Sequence, residues 1–451
     1  MERPMHEMLE AASRRLSLHM PGAQGQGPFG PVDPYRLETT ELAATDDLYA
    51  PYGAVARAEA LCARSAGAEQ TLMLHGGSTA GVQAMLLYAA GKGGRVVLPR
   101  NAHISALHLC AMAGLEPVFA EWTMSDGLVS TPEESYLDAL RRAPDAAAML
   151  VVRPDYYGAL AWPARAVAWA RAHGVMVLCD EAHGAHLNWK ASTPNAGELG
   201  ADMFVQSAHK TLPALNAGAW LHAMPGVDAA RLRRMVRMVD TSSPSFVGLM
   251  ALDDARAWMD QHGAQALSRL EKAVARFYEA VAPLGYRPAG PAPHDETRLV
   301  LGAPQGGFWL QEALAARGVD VEMADERRVV CILSLMDFQP RLDALAAALG
   351  ELGPAVRATK PLPAPPAGLP PRAWPLRRAA FAPTAPVPVG EAAGRVCGVT
   401  AGLYPPGTAL LTPGEIITPA LAGYLASLPP GRAFGLDAQG AIACAIDTEG
   451  A

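Results

Sequence analysis

Residues 147–180 read AAMLVVRPDYYGALAWPARAVAWARAHGVMVLCD. The stretch opens on an apolar run, Ala147 to Val152, breaks at Arg153-Pro154-Asp155, carries a helical pattern over 163–173 and closes on a second apolar run, Val175 to Leu178. A strand that shows no polar alternation is buried on both faces, and two such strands joined by a helix make one parallel crossover unit. The same pattern repeats on either side. Helices are expected over 54–66, 79–91, 103–113 and 132–142, and strands over 95–98, 117–119, 203–206 and 218–221. The fold class is therefore α/β, with a mostly parallel sheet covered by helices on both faces.

Further along, a long helical pattern over 245–283 leads into strand 298–301, helix 308–317 and strand 329–333, a second and smaller α/β domain. The Gly/Pro-rich start reads as an arm (1–45), followed by a large domain (46–283), the small domain (284–352), a Pro-rich linker (353–376) and a C-terminal α+β domain (377–451). The chain has 451 residues, half of them hydrophobic, and a formal net charge of -7, the profile of a compact globular protein with no basic field for nucleic acid. Its six cysteines are scattered, with no CxxC pair and no Cys/His cluster at zinc spacing, so neither a disulfide framework nor a metal site is expected. The first residues carry acids in place of a signal peptide's apolar segment, and no apolar run of membrane-spanning length follows, so a cytoplasmic protein without membrane contact is expected.

Four motifs carry chemistry. In Gln206-Ser207-Ala-His209-Lys210-Thr a lysine follows the end of a buried strand, where ligands of open α/β sheets gather. A lysine after a strand is ordinarily a surface residue, but one partly desolvated beside Ser207 and His209 is suited to amine chemistry. In Val177-Leu-Cys-Asp180-Glu-Ala182-His183 a core strand ends on a carboxylate, then a small residue, then an imidazole. Asp180 in that position is suited to keeping the ring nitrogen of pyridoxal phosphate protonated, with Ala182 leaving room under the ring and His183 reaching the phenolic oxygen. The same letters, DEAH, occur in magnesium-nucleotide sites, but those need a phosphate-binding GxxxxGK[ST] that this chain lacks. His75-Gly-Gly77-Ser78-Thr79 opens a helix with small residues and hydroxyls, a phosphate cradle or a simple cap. His103, just past a strand, is placed either to stack on a cofactor ring or to cap its helix.

In this order the motifs resemble those of fold type I pyridoxal-phosphate enzymes, which share the aspartate-aminotransferase-like fold. HGGSTAGVQAML, LPRNAHISALH, YYGAL, DEAHGAHL, QSAHKTLPAL and TSSPSF resemble in particular the Orn/Lys/Arg decarboxylase family in its short form without a wing domain. DDLYAPYG (46–53) and YPPGTALLTPGE (404–415) extend the resemblance over nearly the whole chain. The resemblance implies Lys210 as the Schiff-base lysine, Asp180 as the pyridinium partner and His103 as the stacking imidazole. It also implies Gly77, Ser78, Thr79, Ser207 and His209 around the phosphate or the lysine, and a homodimer or higher homo-oligomer with shared active sites, in which Ser242 or Ser243 reaches the neighbour's phosphate. Glu415 is the first candidate for the distal cation of the substrate, with Asp155 and Asp46 in reserve.

The family's arm usually reads His-x-Pro-Gly-His-Lys, where this chain has His19-Met-Pro-Gly-Ala23-Gln24; the lysine after the stacking histidine is Ile104 here. Ser-Pro-Thr-Tyr-Tyr-Gly is replaced by Arg153-Pro-Asp155-Tyr-Tyr-Gly158, which sets a charge pair beside the expected cofactor edge. The leading expectation is α-decarboxylation of lysine, ornithine or arginine to a diamine or agmatine, in the setting of polyamine biosynthesis. Arg153, if turned inward as a carboxylate clamp, favours instead an enzyme that keeps the carboxylate and eliminates, cyclises or oxidises a basic amino acid. A third reading, a cofactor-binding but inactive partner subunit, is opposed by the intact set of Asp180, His103 and Lys210.

Overall fold

A computed structural model describes residues 14–24, 26–30, 33–91, 93–354, 363–405 and 407–447. Part of the expected arm and part of the Pro-rich linker lie outside the described residues. The large sheet has seven strands: β1 Gln70–Leu74, β2 Arg95–Pro99, β3 Glu116–Ala120, β4 Ala148–Val152, β5 Met176–Asp180, β6 Met203–Gln206 and β7 Ala219–Ala223. Their order across the sheet is β1-β7-β6-β5-β4-β2-β3. β2 runs parallel to β3 and β4, as the apolar runs predict.

Two features differ from the sequence reading. β7 is antiparallel to both neighbours, with Trp220 opposite Met73 on one side and Gln206 on the other. β1 was not expected as a strand: its five residues, QTLML, are too few to separate a strand from the start of the Gly-rich turn that follows.

By density of packing the chain divides into two units, residues 1–81, 153–161 and 180–361 in the first and 82–152, 162–179 and 362–451 in the second. In the first, helix Phe246–Val281 packs its Leu270, Val274 and Phe277 into one core with Leu342, Leu345 and Leu349 of helix Phe338–Leu352. Each such side chain contributes about 1.5–3 kcal/mol when fully buried. That core also holds a four-stranded antiparallel sheet of β8 Arg287–Pro288, β9 Arg298–Gly302, β10 Met323–Ala324 and β11 Arg328–Ile332, in the order β8-β9-β11-β10. In the second unit a separate core forms around Val389, Cys397, Leu411, Ile417, Leu425 and Ile442. Among the described residues no helix is long and apolar enough to cross a membrane.

Candidate active site

β5 ends on Asp180, which is buried and whose carboxylate accepts the N–H of Ala182 at 3.1 Å. That short turn sends the chain to His183, also buried. β6 ends on Gln206, and one helical turn, Ala208–Thr211, carries Lys210 back over the strand end. Nζ of Lys210 lies 3.1 Å from Nε2 of His183. Nδ1 of that ring accepts from Nη2 of Arg298, the first residue of β9, and the ring of Tyr156 lies 4.8 Å from it. Burial depresses the Lys210 amine below the usual lysine range; the charges of Asp180 and Glu322 oppose this, and that of Arg298 reinforces it.

The cradle expected at Gly77 takes shape from an unforeseen residue. Gly77 has φ +67°, a backbone state that favours glycine, and helix Gly77–Ala90 begins there. The turn before it is held by Asp240, whose carboxylate accepts the N–H groups of His75, Gly76 and Thr241 at 3.0, 2.7 and 2.7 Å. Ser242 and Ser243 follow directly, both exposed. Ser78 is half-buried and Thr79 exposed. Ser207 is buried, and its hydroxyl has no hydrogen-bond partner among the described residues. His209 is turned away: its Nδ1 lies 2.9 Å from the carbonyl of Gly218, and burial depresses its ring.

The arm contributes as well. Gly22 donates its N–H to the carbonyl of His209 at 2.7 Å, and a Cβ there would come within 2.8 Å of the backbone of Thr211. Only glycine allows so close an approach to the Lys210 turn. Gln24, one of the departures from the family arm, donates to the carbonyls of His19 and Ile332 at 3.1 and 3.0 Å.

The four side chains expected at the substrate are all engaged within the protein. Glu415 lies in the second unit, 2% exposed, with its carboxylate gripped by both terminal nitrogens of Arg100 at 2.8 and 2.6 Å and by the N–H of Thr412 at 2.7 Å. Nη2 of Arg372 reaches the same carboxylate at 3.4 Å, and a carboxylate so engaged has no capacity left for a substrate cation. Arg153 pairs with Glu181 at 3.2 Å, both side chains nearly inaccessible, so its guanidinium does not clamp a ligand carboxylate. Asp155 spends one carboxylate oxygen on the N–H groups of Tyr157 and Ala159, both at 2.9 Å, as a turn former. Asp46, held in reserve for the same task, accepts the N–H groups of Tyr52, Gly53 and Val55. In the second unit His103 stands exposed as the N-cap of helix Ile104–Ala113, its Nδ1 2.8 Å from Oγ of Ser105.

The sequence profile of the Orn/Lys/Arg decarboxylase major domain matches residues 36–284, more than half of the chain. The chain belongs to that family. It is a decarboxylase, and pyridoxal phosphate is its cofactor. It is similar to the uncharacterized protein YaaO of Bacillus subtilis, 32% identical over 357 residues and 74% of each chain. It is also similar to the arginine decarboxylase of that organism, 28% identical over 467 residues, covering 94% of this chain and 93% of the relative. In fold it resembles the lysine decarboxylase of Francisella novicida, with a TM-score of 0.75 at 16% identity over 86% of this chain and 71% of that one.

The residues present fit the cofactor. A depressed lysine amine, a buried carboxylate and a buried hydroxyl with no partner among the described residues stand at the ends of the neighbouring strands β5 and β6, and a glycine-opened helix start follows β1. The orphaned Ser207 hydroxyl costs about 1–3 kcal/mol unless a ligand satisfies it.

Proposed function

We propose that this decarboxylase removes the α-carboxylate of lysine, ornithine or arginine, releasing a diamine or agmatine. The observation that carries the reading is the meeting of Asp180, His183 and Lys210 at the ends of two neighbouring strands, in a chain whose curated relatives over nine-tenths of its length are named arginine decarboxylase. Pyridoxal phosphate supplies a ring that takes up the electron pair left when carbon dioxide departs.

The protein's own residues do the rest. Lys210 would hold the cofactor through its Nζ and, after taking up a proton, would be placed to deliver that proton to Cα. Asp180 would keep a proton on the ring nitrogen, since a buried carboxylate stabilises the cation facing it. Ser207, Gly77, Ser78 and Thr79 would hold the phosphate, and His103 would cover the ring. A homodimer in which Ser242 or Ser243 reaches the partner's phosphate completes the reading, and its setting is cytoplasmic polyamine biosynthesis. With Arg153 committed to Glu181, the argument for an enzyme that keeps the carboxylate loses its motive.

The test is to incubate the purified protein with lysine, ornithine and arginine separately and resolve products by mass. Loss of carbon dioxide from one of them supports the reading. A product that retains the carboxylate overturns it.

A further inference from the structure

Arginine has five N–H donors and no acceptor. Nη2 of Arg298 points at Nδ1 of His183, so Nδ1 must be the lone-pair nitrogen, and the proton of the neutral ring sits on Nε2. Nε2–H then faces Nζ of Lys210 at 3.1 Å. An ammonium has three donors and nothing with which to accept, so this contact is a hydrogen bond only when Lys210 is a free amine.

We propose that Arg298 is a positioning residue that locks His183 with its proton on Nε2, and that His183 so locked holds Lys210 as a neutral, nucleophilic amine. Behind it stands a buried chain that explains the second histidine of the DEAHGAH motif. Asp295 accepts from the hydroxyl of Thr297 at 2.7 Å and lies 3.0 Å from Nε2 of His186, with every member inaccessible to solvent. Burial would push the Asp295 carboxyl up, but His186, Arg298 and Thr297 together hold it well below the usual range. Its charge reaches Arg298 and offsets the cost of burying that guanidinium next to Lys210.

Asp180 and Glu322 favour the ammonium form of Lys210, burial and Arg298 disfavour it, and Tyr156 faces the His183 ring. Arg298 thus acts in two ways, by its charge and through the tautomer it imposes. The proposal is that the tautomer carries a distinct part.

The inference rests on Lys210 being the reactive lysine of the proposed function, and its test separates the two. Full-length protein resolved of cofactor is trace-labelled with acetic anhydride across pH, and acetylation of the Lys210 peptide is followed by mass spectrometry. Labelling reports the neutral amine whether or not Lys210 holds the cofactor. Arg298→Met should slow Lys210 labelling at pH 7 about tenfold, the effect of one pKa unit, while the plateau at high pH stays unchanged. Arg298→Lys, which keeps a donor and a charge, should recover most of the loss. In a His183→Asn background the same Arg298→Met change should slow labelling less than about threefold, because the tautomer route is gone.

An equal slowing in both backgrounds would reduce Arg298 to a through-space charge and overturn the proposal, as would an unmoved midpoint. If Arg298→Met does not fold, the His183→Asn single variant decides, since it must itself raise the Lys210 midpoint. Borohydride reduction of the holoenzyme reads the other assignment. Cofactor found on a lysine other than Lys210 would sink the functional reading while leaving a confirmed relay standing.

Discussion

The carboxylate of Asp240 accepts the N–H of Gly76 at 2.7 Å, and through it the turn that opens helix Gly77–Ala90 is fastened to the loop carrying Ser242 and Ser243. The two segments stand some 165 residues apart in sequence, the separation of Asp240 from His75. One acid therefore shapes both expected phosphate contacts.

Asp240→Ala should weaken cofactor binding about tenfold to a hundredfold, the worth of a charge-assisted hydrogen bond of about 1.5–3 kcal/mol, with little change in turnover at saturating cofactor. Equilibrium titration of the resolved protein with pyridoxal phosphate checks it. An unchanged affinity would mean that the two loops hold their shape without the carboxylate.

Asp180→Asn keeps the size of the side chain and removes its charge. Cofactor should still bind, since Lys210 and the phosphate cradle are untouched, but turnover should fall about a hundredfold or more, as expected for two or more pKa units lost at the ring nitrogen. Cofactor absorbance and carbon dioxide release, measured on one preparation, separate binding from chemistry. Near-normal turnover would assign the ring-nitrogen role to another group.

Much of the site was legible because its residues sit at strand ends, and apolar runs locate those. Asp180 and Lys210 follow runs long enough to read, and their motifs are contiguous. Arg298 and Asp240 escaped because each acts on a residue more than 100 positions away, a relation that no local pattern encodes. Arg298 left one trace, a charged residue opening the buried run RLVLG. Glu415 was chosen because its Pro-Gly turn resembles the family's C-terminal loop, and only tertiary packing brings Arg100 over Phe119 at 4.6 Å and onto the acid. Arg153 was read as one half of a charge pair with Asp155, whereas its partner in the structure is Glu181, 28 residues on, a contact that the sequence does not state.

The Glu415–Arg100 pair makes its own prediction. Both side chains are out of water and Arg372 reaches the same acid at 3.4 Å, so Glu415→Gln should leave the guanidinium groups of Arg100 and Arg372 uncompensated and destabilise the protein by about 3–5 kcal/mol, while the KM of the molecules that remain folded stays put. The double change Arg100→Met with Glu415→Leu should recover part of that loss, since Arg372 keeps its hydrogen bonds to Pro413 and Thr412. Thermal unfolding checks the first part and steady-state kinetics the second. A raised KM with unaltered stability would return Glu415 to the substrate site.

The last prediction concerns His222 of β7, buried between Thr71 of β1 and Gln206 of β6, its Nδ1 2.7 Å from the Thr71 hydroxyl and its Nε2 3.0 Å from the Gln206 side-chain oxygen. Burial pushes its pKa from 6.5 down to about 3. The folded protein therefore binds fewer protons than the unfolded chain between those two values, and stability present above about 6.5 is lost as the pH falls towards 3. Glu181, which burial pushes up to about 8, has the opposite sign, since the folded protein then binds the extra proton; its contribution is full below 4.5 and lost as the pH rises to about 8. The two oppose each other in mild acid, so total stability is a poor reporter. The difference between wild type and His222→Gln isolates the histidine. Wild type should be the more stable at pH 7, and its advantage should shrink by up to about 1.4 kcal/mol per pH unit as the pH drops from 6.5 to 4. Urea midpoints for both proteins across that range measure it. A constant difference would mean that His222 titrates alike in the folded and unfolded chain, and that its contacts with Thr71 and Gln206 hold the charged ring as well as the neutral one.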